Sequence, residues 1–202
     1  MGEGTFSDHQ NHKNPEEPFD MSKITRLAAV SAAIALAATP ALAHPGHFAG
    51  AGFVDGAAHP LSGLDHLIAM VTVGVYGATI GGRAVLAVPG AFLAAMLAGG
   101  LFALAGGELP LVEPAIYAST VVLALLCVMP MSRNSLTGIV FAAGFGLFHG
   151  FAHGAEMPAD AAALGYAAGF LASTAGLHAA GVAIGWALHR LIGRPEEDGR
   201  TA

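Results

Sequence analysis

Long apolar runs separated by short polar breaks dominate this chain. Residues 61–80, 84–105, 111–129, 136–155 and 161–188 form the main runs, each close to the ~20 residues that an α-helix needs to cross a bilayer. The pattern predicts an all-α fold: a polytopic transmembrane helix bundle of about five spans. The last run is long enough to tilt or to begin outside the bilayer. Residues 48–58, rich in glycine and alanine, read as irregular, and Pro60 suits the first turn of the helix that follows. Gly146, Gly150 and Gly154 recur every fourth residue, as do the pairs Gly165/Gly169 and Gly181/Gly185. Rows of this kind let membrane helices approach closely, so these glycines are read as packing positions.

The N-terminal part differs in character. Residues 1–20 are polar, carry five acidic side chains with Pro15 and Pro18, and have too little apolar surface to fold, so a disordered extension is expected. From Met21 the pattern changes to Lys23 and Arg26, an apolar stretch over 27–38, and Ala41-Leu42-Ala43. That order is the one found in a secretory signal peptide, cleaved after Ala43; an uncleaved first span is the alternative. Cleavage would leave His44-Pro45-Gly46-His47 as a new amino terminus, followed by a periplasmic segment over 44–60, the bundle over 61–190 and a cytoplasmic tail over 191–202.

Composition sharpens this reading. Of 202 residues 54% are hydrophobic and 11% charged, against about 25% charged in soluble domains. One cysteine, Cys127, leaves no disulfide framework and no thiolate cluster. The few, scattered basic residues leave no footprint for nucleic acid. Their placement is informative all the same. With the N-terminus outside, Arg83, Arg133, Arg190, Arg194 and Arg200 all fall on the inner side, while Glu108, Glu113, Glu156 and Asp160 fall on the outer side. This is the positive-inside pattern of an inner (cytoplasmic) membrane protein with a periplasmic N-terminus and a cytoplasmic C-terminus.

Two polar clusters interrupt the apolar background. His59-Pro60-Leu61-Ser62-Gly63-Leu64-Asp65-His66 opens the first span, and His149-Gly150-Phe151-Ala152-His153-Gly154-Ala155-Glu156 closes the fourth. On a helix, His149 and His153 stack one turn apart and Glu156 stays near their face. The alternating topology places both clusters near the outer boundary. Ionisable groups inside a membrane are costly and mark functional sites. A lone membrane histidine commonly makes an interhelical hydrogen bond. Imidazoles and carboxylates gathered at one depth instead suit a borderline divalent ion such as Ni²⁺, Co²⁺, Zn²⁺ or Cu²⁺. The candidate metal residues are therefore His59, Asp65, His66, His149, His153 and Glu156, with His44, His47 and the deeper His178 as accessory candidates. Glu113 reads as a solvated interfacial carboxylate, and Met70, Met96 and Met129 as core.

The motifs His59-x5-Asp65-His66 and Phe148-His149-Gly150-x-Ala152-His153-Gly154-x-Glu156, together with the signal peptide and the His-Pro-Gly-His start, resemble the HupE/UreJ family of nickel permeases and accessory proteins. The likeness spans about residues 21–192. It implies passage of nickel, or cobalt, across the inner membrane to supply hydrogenase or urease assembly, with metalloenzyme maturation proteins as partners and no prosthetic group. It also implies that the six motif residues handle the ion. No Walker motif is present in the sequence, so an ion gradient, the membrane potential or a partner would supply the energy. Two alternatives remain: a metal-binding accessory protein that moves nothing, and an intramembrane metal hydrolase using Ser62 or Glu156. The hydrolase would lack an H-E-x-x-H helix, because Gly150 follows His149 where that motif has its glutamate.

Overall fold

The computed structural model describes residues 52–128, 134–157 and 162–192. They form six α-helices and, among the described residues, no strand: α1 (Gly52–Ser62), α2 (Leu64–Ile80), α3 (Ala84–Leu104), α4 (Val112–Val128), α5 (Ser135–Ala155) and α6 (Ala163–Ile192). The expected extension, the signal peptide, His44, His47 and the tail beyond Ile192 lie outside the described residues.

Helices α2 to α6 occupy the five apolar runs. Three of them, α3, α5 and Ala163–Arg190 of α6, are long and apolar enough to span a membrane, and α1 with α2 forms a fourth candidate bent by 86°. At 17 residues, α4 stands at the short end of the range for a span, about 17–25 residues. The 30 residues of α6 reach roughly 45 Å at 1.5 Å per residue, well beyond the ~30 Å hydrocarbon core.

The chief departure from expectation is α1. Residues 52–58 are helical rather than irregular, and Pro60 sits in the last turn of α1, not the first turn of the next helix. An isolated eleven-residue helix with two glycines would be marginal, so its neighbour must supply the stability. A side chain at Gly56 would strike the Tyr166 carbonyl of α6, and one at Gly169 would strike the Phe53 carbonyl of α1. The two backbones therefore touch. Pro60 cannot donate to the ladder and Gly63 adopts an extended conformation (φ −105°, ψ 123°), which ends α1 and redirects the chain into α2.

The other glycine rows also seat helix on helix. Gly146, Gly150 and Gly154 of α5 abut Phe92, Met96 and Gly100 of α3 in that order, and Gly181 and Gly185 of α6 abut Val71 and then Val75 and Ala78 of α2. Both pairs thus run parallel, as an alternating topology requires when one span intervenes between α3 and α5. Helix α2 is central, packed against α3, α4 and α6. Its Met70, Val73 and Tyr76 join Val88, Phe92, Leu123 and Ala142 in the core. Outside, Leu86, Leu97, Leu136, Leu164 and Trp186 are exposed. Large aliphatic side chains turned outward, with hydroxyls and imidazoles such as Ser119, Thr174 and His149 buried inside, suit a protein whose solvent is lipid.

Candidate metal centre at the helix break

The bend at Gly63 brings the end of α1 and the start of α2 against the last turns of α5. His59 from α1 and His66 from α2 both face His153 of α5, with ring centres 4.8 and 4.7 Å apart, and His66 also faces His149 at 5.2 Å. Four imidazoles from three helices thus form one connected row. Phe170 of α6 closes one side, 4.4 Å from the His153 ring and 5.9 Å from that of His59. Phe92 of α3 closes the other, 5.4 Å from His149. Tyr166 of α6 lies 5.9 Å from His59.

The ring nitrogens carry the chemical information. His149 Nδ1 lies 2.9 Å from the Phe145 carbonyl. A carbonyl only accepts, so Nδ1 holds the proton and Nε2 presents a bare lone pair. In the same way, the Asp65 carboxylate stands 3.1 Å from His66 Nδ1 and leaves Nε2 free. This carboxylate–histidine pairing orients a metal-binding imidazole. The free Nε2 atoms of His66 and His149, and both ring nitrogens of His153 and of His178, are buried without a hydrogen-bond partner. An unsatisfied buried polar atom costs about 1–3 kcal/mol. Among the described residues the only other such side-chain atoms are the hydroxyls of Thr120 and Thr174. A cation is what a run of bare imidazole lone pairs would satisfy.

At the mouth, donor atoms of His59, His153 and Glu156 lie within 4.8 Å of one another. Ligands about 2.1 Å from one ion sit roughly 3.4 Å apart in a tetrahedron, so an ion would draw this trio together by about an ångström. Glu156 can supply the movement. It caps α5, its side chain is 60% exposed, and its carboxylate is 3.9 Å from His153 Nδ1. His153 is nearly buried and His149 fully so, which gives the row a wet end and a dry end.

Gly63 has a steric role beyond the bend. A Cβ there would come within 2.8 Å of Asp65 Oδ1 and 3.3 Å of His66 Nδ1, so the missing side chain leaves room for this pair to fold back over the break. Ser62 donates its hydroxyl to the His59 carbonyl at 2.7 Å. Glu113 lies exposed in the first turn of α4 and does not join the mouth trio. His178 lies deeper, with its ring 5.2 Å from Phe92. The aromatic walls, Phe92, Phe170 and Tyr166, were not singled out by the sequence, because phenylalanine and tyrosine are ordinary in a membrane span. Only the α2–α6 and α3–α5 glycine rows hint at which helices must stand beside the histidines.

Comparison with known proteins extends the sequence likeness. The profile of the family described as HupE / UreJ protein matches residues 32–197. Protein HupE of Rhizobium leguminosarum bv. viciae is 41% identical over 162 residues, covering 80% of this chain and 84% of that protein. No solved structure matches.

Proposed function

Because this chain belongs to the HupE/UreJ family, we propose that it carries Ni²⁺, or the chemically similar Co²⁺, across the inner membrane to supply assembly of a metalloenzyme such as hydrogenase or urease. The observation that carries this reading is the row of histidines, in which Nε2 of His66 and His149 and both ring nitrogens of His153 are buried without a hydrogen-bond partner. A permanent structural core would satisfy such atoms, whereas a transit site must leave them open.

In this reading the ion arrives from the periplasm, gathered by His44 and His47. It exchanges its first waters for Glu156, His59 and His153 at the mouth, then passes to His66 and His149. His153 belongs to both steps, because its ring neighbours those of His59 and His66. The ion therefore gains new ligands before losing old ones, and is never bare in a low-dielectric setting where an uncompensated charge is prohibitive. Asp65 holds the His66 tautomer and contributes a compensating negative charge. Imidazole nitrogens suit nickel and cobalt, while magnesium and calcium favour an oxygen shell.

Transport is favoured over hydrolysis by two local features. The Ser62 hydroxyl is turned to a main-chain carbonyl, and a glycine, Gly150, stands where a metalloprotease helix carries its general base. Uptake of radiolabelled Ni²⁺ into cells expressing the chain, at matched membrane abundance, tests the proposal. The wild type should accumulate the ion and His153→Leu should not. Equal accumulation in both, for nickel and for cobalt, would reject it.

A further inference from the structure

The row of histidines does not end at His149. Beyond the fully buried Phe92 lies His178 of α6, only 2% exposed, with both ring nitrogens unpartnered. Its ring meets the Phe92 ring edge-on, at 5.2 Å and 89°, and Phe92 also faces His149, at 5.4 Å. One helical turn earlier on α6, and therefore on the same face, Thr174 is fully buried with its hydroxyl also unpartnered. On its outer side His178 borders a groove between α3 and α6 that is walled almost wholly by apolar residues, among them Leu86, Pro89, Val182 and Trp186, and opens on the outer face of the bundle. These residues belong to the start of α3 and the later half of α6, the half of the bundle that leads toward Arg83. A separate cavity of about 90 Å³ abuts His153 at the opposite end of the row.

We infer that His178, with Thr174, forms a second ion station deeper in the bundle than His66 and His149, beside Gly74 of α2, the last stop before release. This rests on the transport reading above and adds its exit half. An ordinary interhelical histidine would bond a carbonyl or hydroxyl of the neighbouring helix; His178 bonds none. One imidazole and one hydroxyl are too few to retain a divalent ion, and that weakness is what release requires. The station would hold the ion with part of its water shell, because two protein donors cannot replace all of it. Repulsion between two divalent ions in so apolar a setting keeps the two stations from filling together, so each new ion at the mouth favours departure of the one ahead.

The test places a thiol where the ion is predicted to stop. Purified His178→Cys in a Cys127→Ala background is titrated with Co²⁺, beside Cys127→Ala alone. A thiolate-to-cobalt absorption band in the near ultraviolet that appears only with His178→Cys is the expected result; no band with the folded variant overturns the inference. In parallel, His178→Leu should bind Ni²⁺ at the outer cluster with affinity unchanged, while its uptake falls by about tenfold or more. Wild-type uptake by His178→Leu would overturn the inference and leave the outer site intact. Absence of uptake by the wild type itself would instead remove the transport reading. Thr174→Val, nearly isosteric, should slow uptake by a smaller factor and covers the case in which His178→Leu fails to fold.

Discussion

The two ends of the bundle are built from the same helices yet solve opposite problems. Toward Arg83, the interior is Tyr76, Val88, Leu123 and Ala142, packed with no exposure for Tyr76, Val88, Leu123 or Ala142, an ordinary close-packed core. Toward Glu156, α2 and α5 carry His66, His149 and His153, with Nε2 of the first two and both ring nitrogens of the third buried without a partner. The first end holds the protein together, and the second costs it stability. The difference teaches that the glycine rows have a double duty: Gly150 and Gly154 bring α5 onto α3, and Gly56 and Gly169 bring α1 onto α6, through backbone contact at the end where side-chain packing has been given up for ligands, while Gly181 and Gly185 seat α6 on α2 nearer the other end.

The largest expected effect contrasts the ends directly. His149→Leu should reduce nickel uptake to background and raise the thermal midpoint of the metal-free protein, because it replaces an unsatisfied buried nitrogen worth about 1–3 kcal/mol with apolar volume. Leu123→Ala should do the reverse, lowering stability by about 2 kcal/mol or more through lost packing while sparing uptake per folded chain. Thermal melting in detergent and uptake at matched abundance read both. If the two substitutions destabilise alike, the contrast between the ends is wrong.

A smaller effect concerns the ion itself. Nickel at one hundred times its dissociation constant should stabilise the wild type by about 2.7 kcal/mol. A chelator should remove that gain, and His153→Leu should show little of it. Smaller again is Gly63→Ala. Its new methyl group displaces Asp65 from His66, so metal affinity should weaken by about tenfold with the melting point of the metal-free protein nearly unchanged. Equilibrium dialysis with Ni²⁺ checks this, and undiminished affinity would mean that Asp65 does not orient His66. Glu156→Gln should have the least effect, a slower capture at low nickel that is overcome at high nickel, since its exposed carboxylate works in water.

Much of this architecture was legible in the residue pattern, and the losses have physical reasons. Each long apolar run became a helix, because a span must satisfy its own backbone. Both motifs met at one end, because an alternating topology leaves no other place for them. The glycine rows became helix contacts for the steric reason that marks them in sequence. Helix α1 was missed because glycine and alanine over 52–58 carry little periodic signal, and its stability comes from α6, more than a hundred positions away in the chain. Pro60 fitted a helix start in isolation and proved to be near a helix end. The roles of Asp65 and of the Phe145 carbonyl, which fix two tautomers, depend on side-chain rotation that spacing does not encode. His178 looked equally suited to a hydrogen bond until its surroundings showed no partner.

X-ray absorption at the nickel edge of the purified, nickel-loaded protein tests the central claim most directly. The account predicts a first shell of nitrogen and oxygen donors at about 2.1 Å, three from the protein and the rest water, with outer-shell scattering from more than one imidazole, and loss of that imidazole signature in His153→Leu. A shell of oxygen donors alone, the same in wild type and variant, would contradict it.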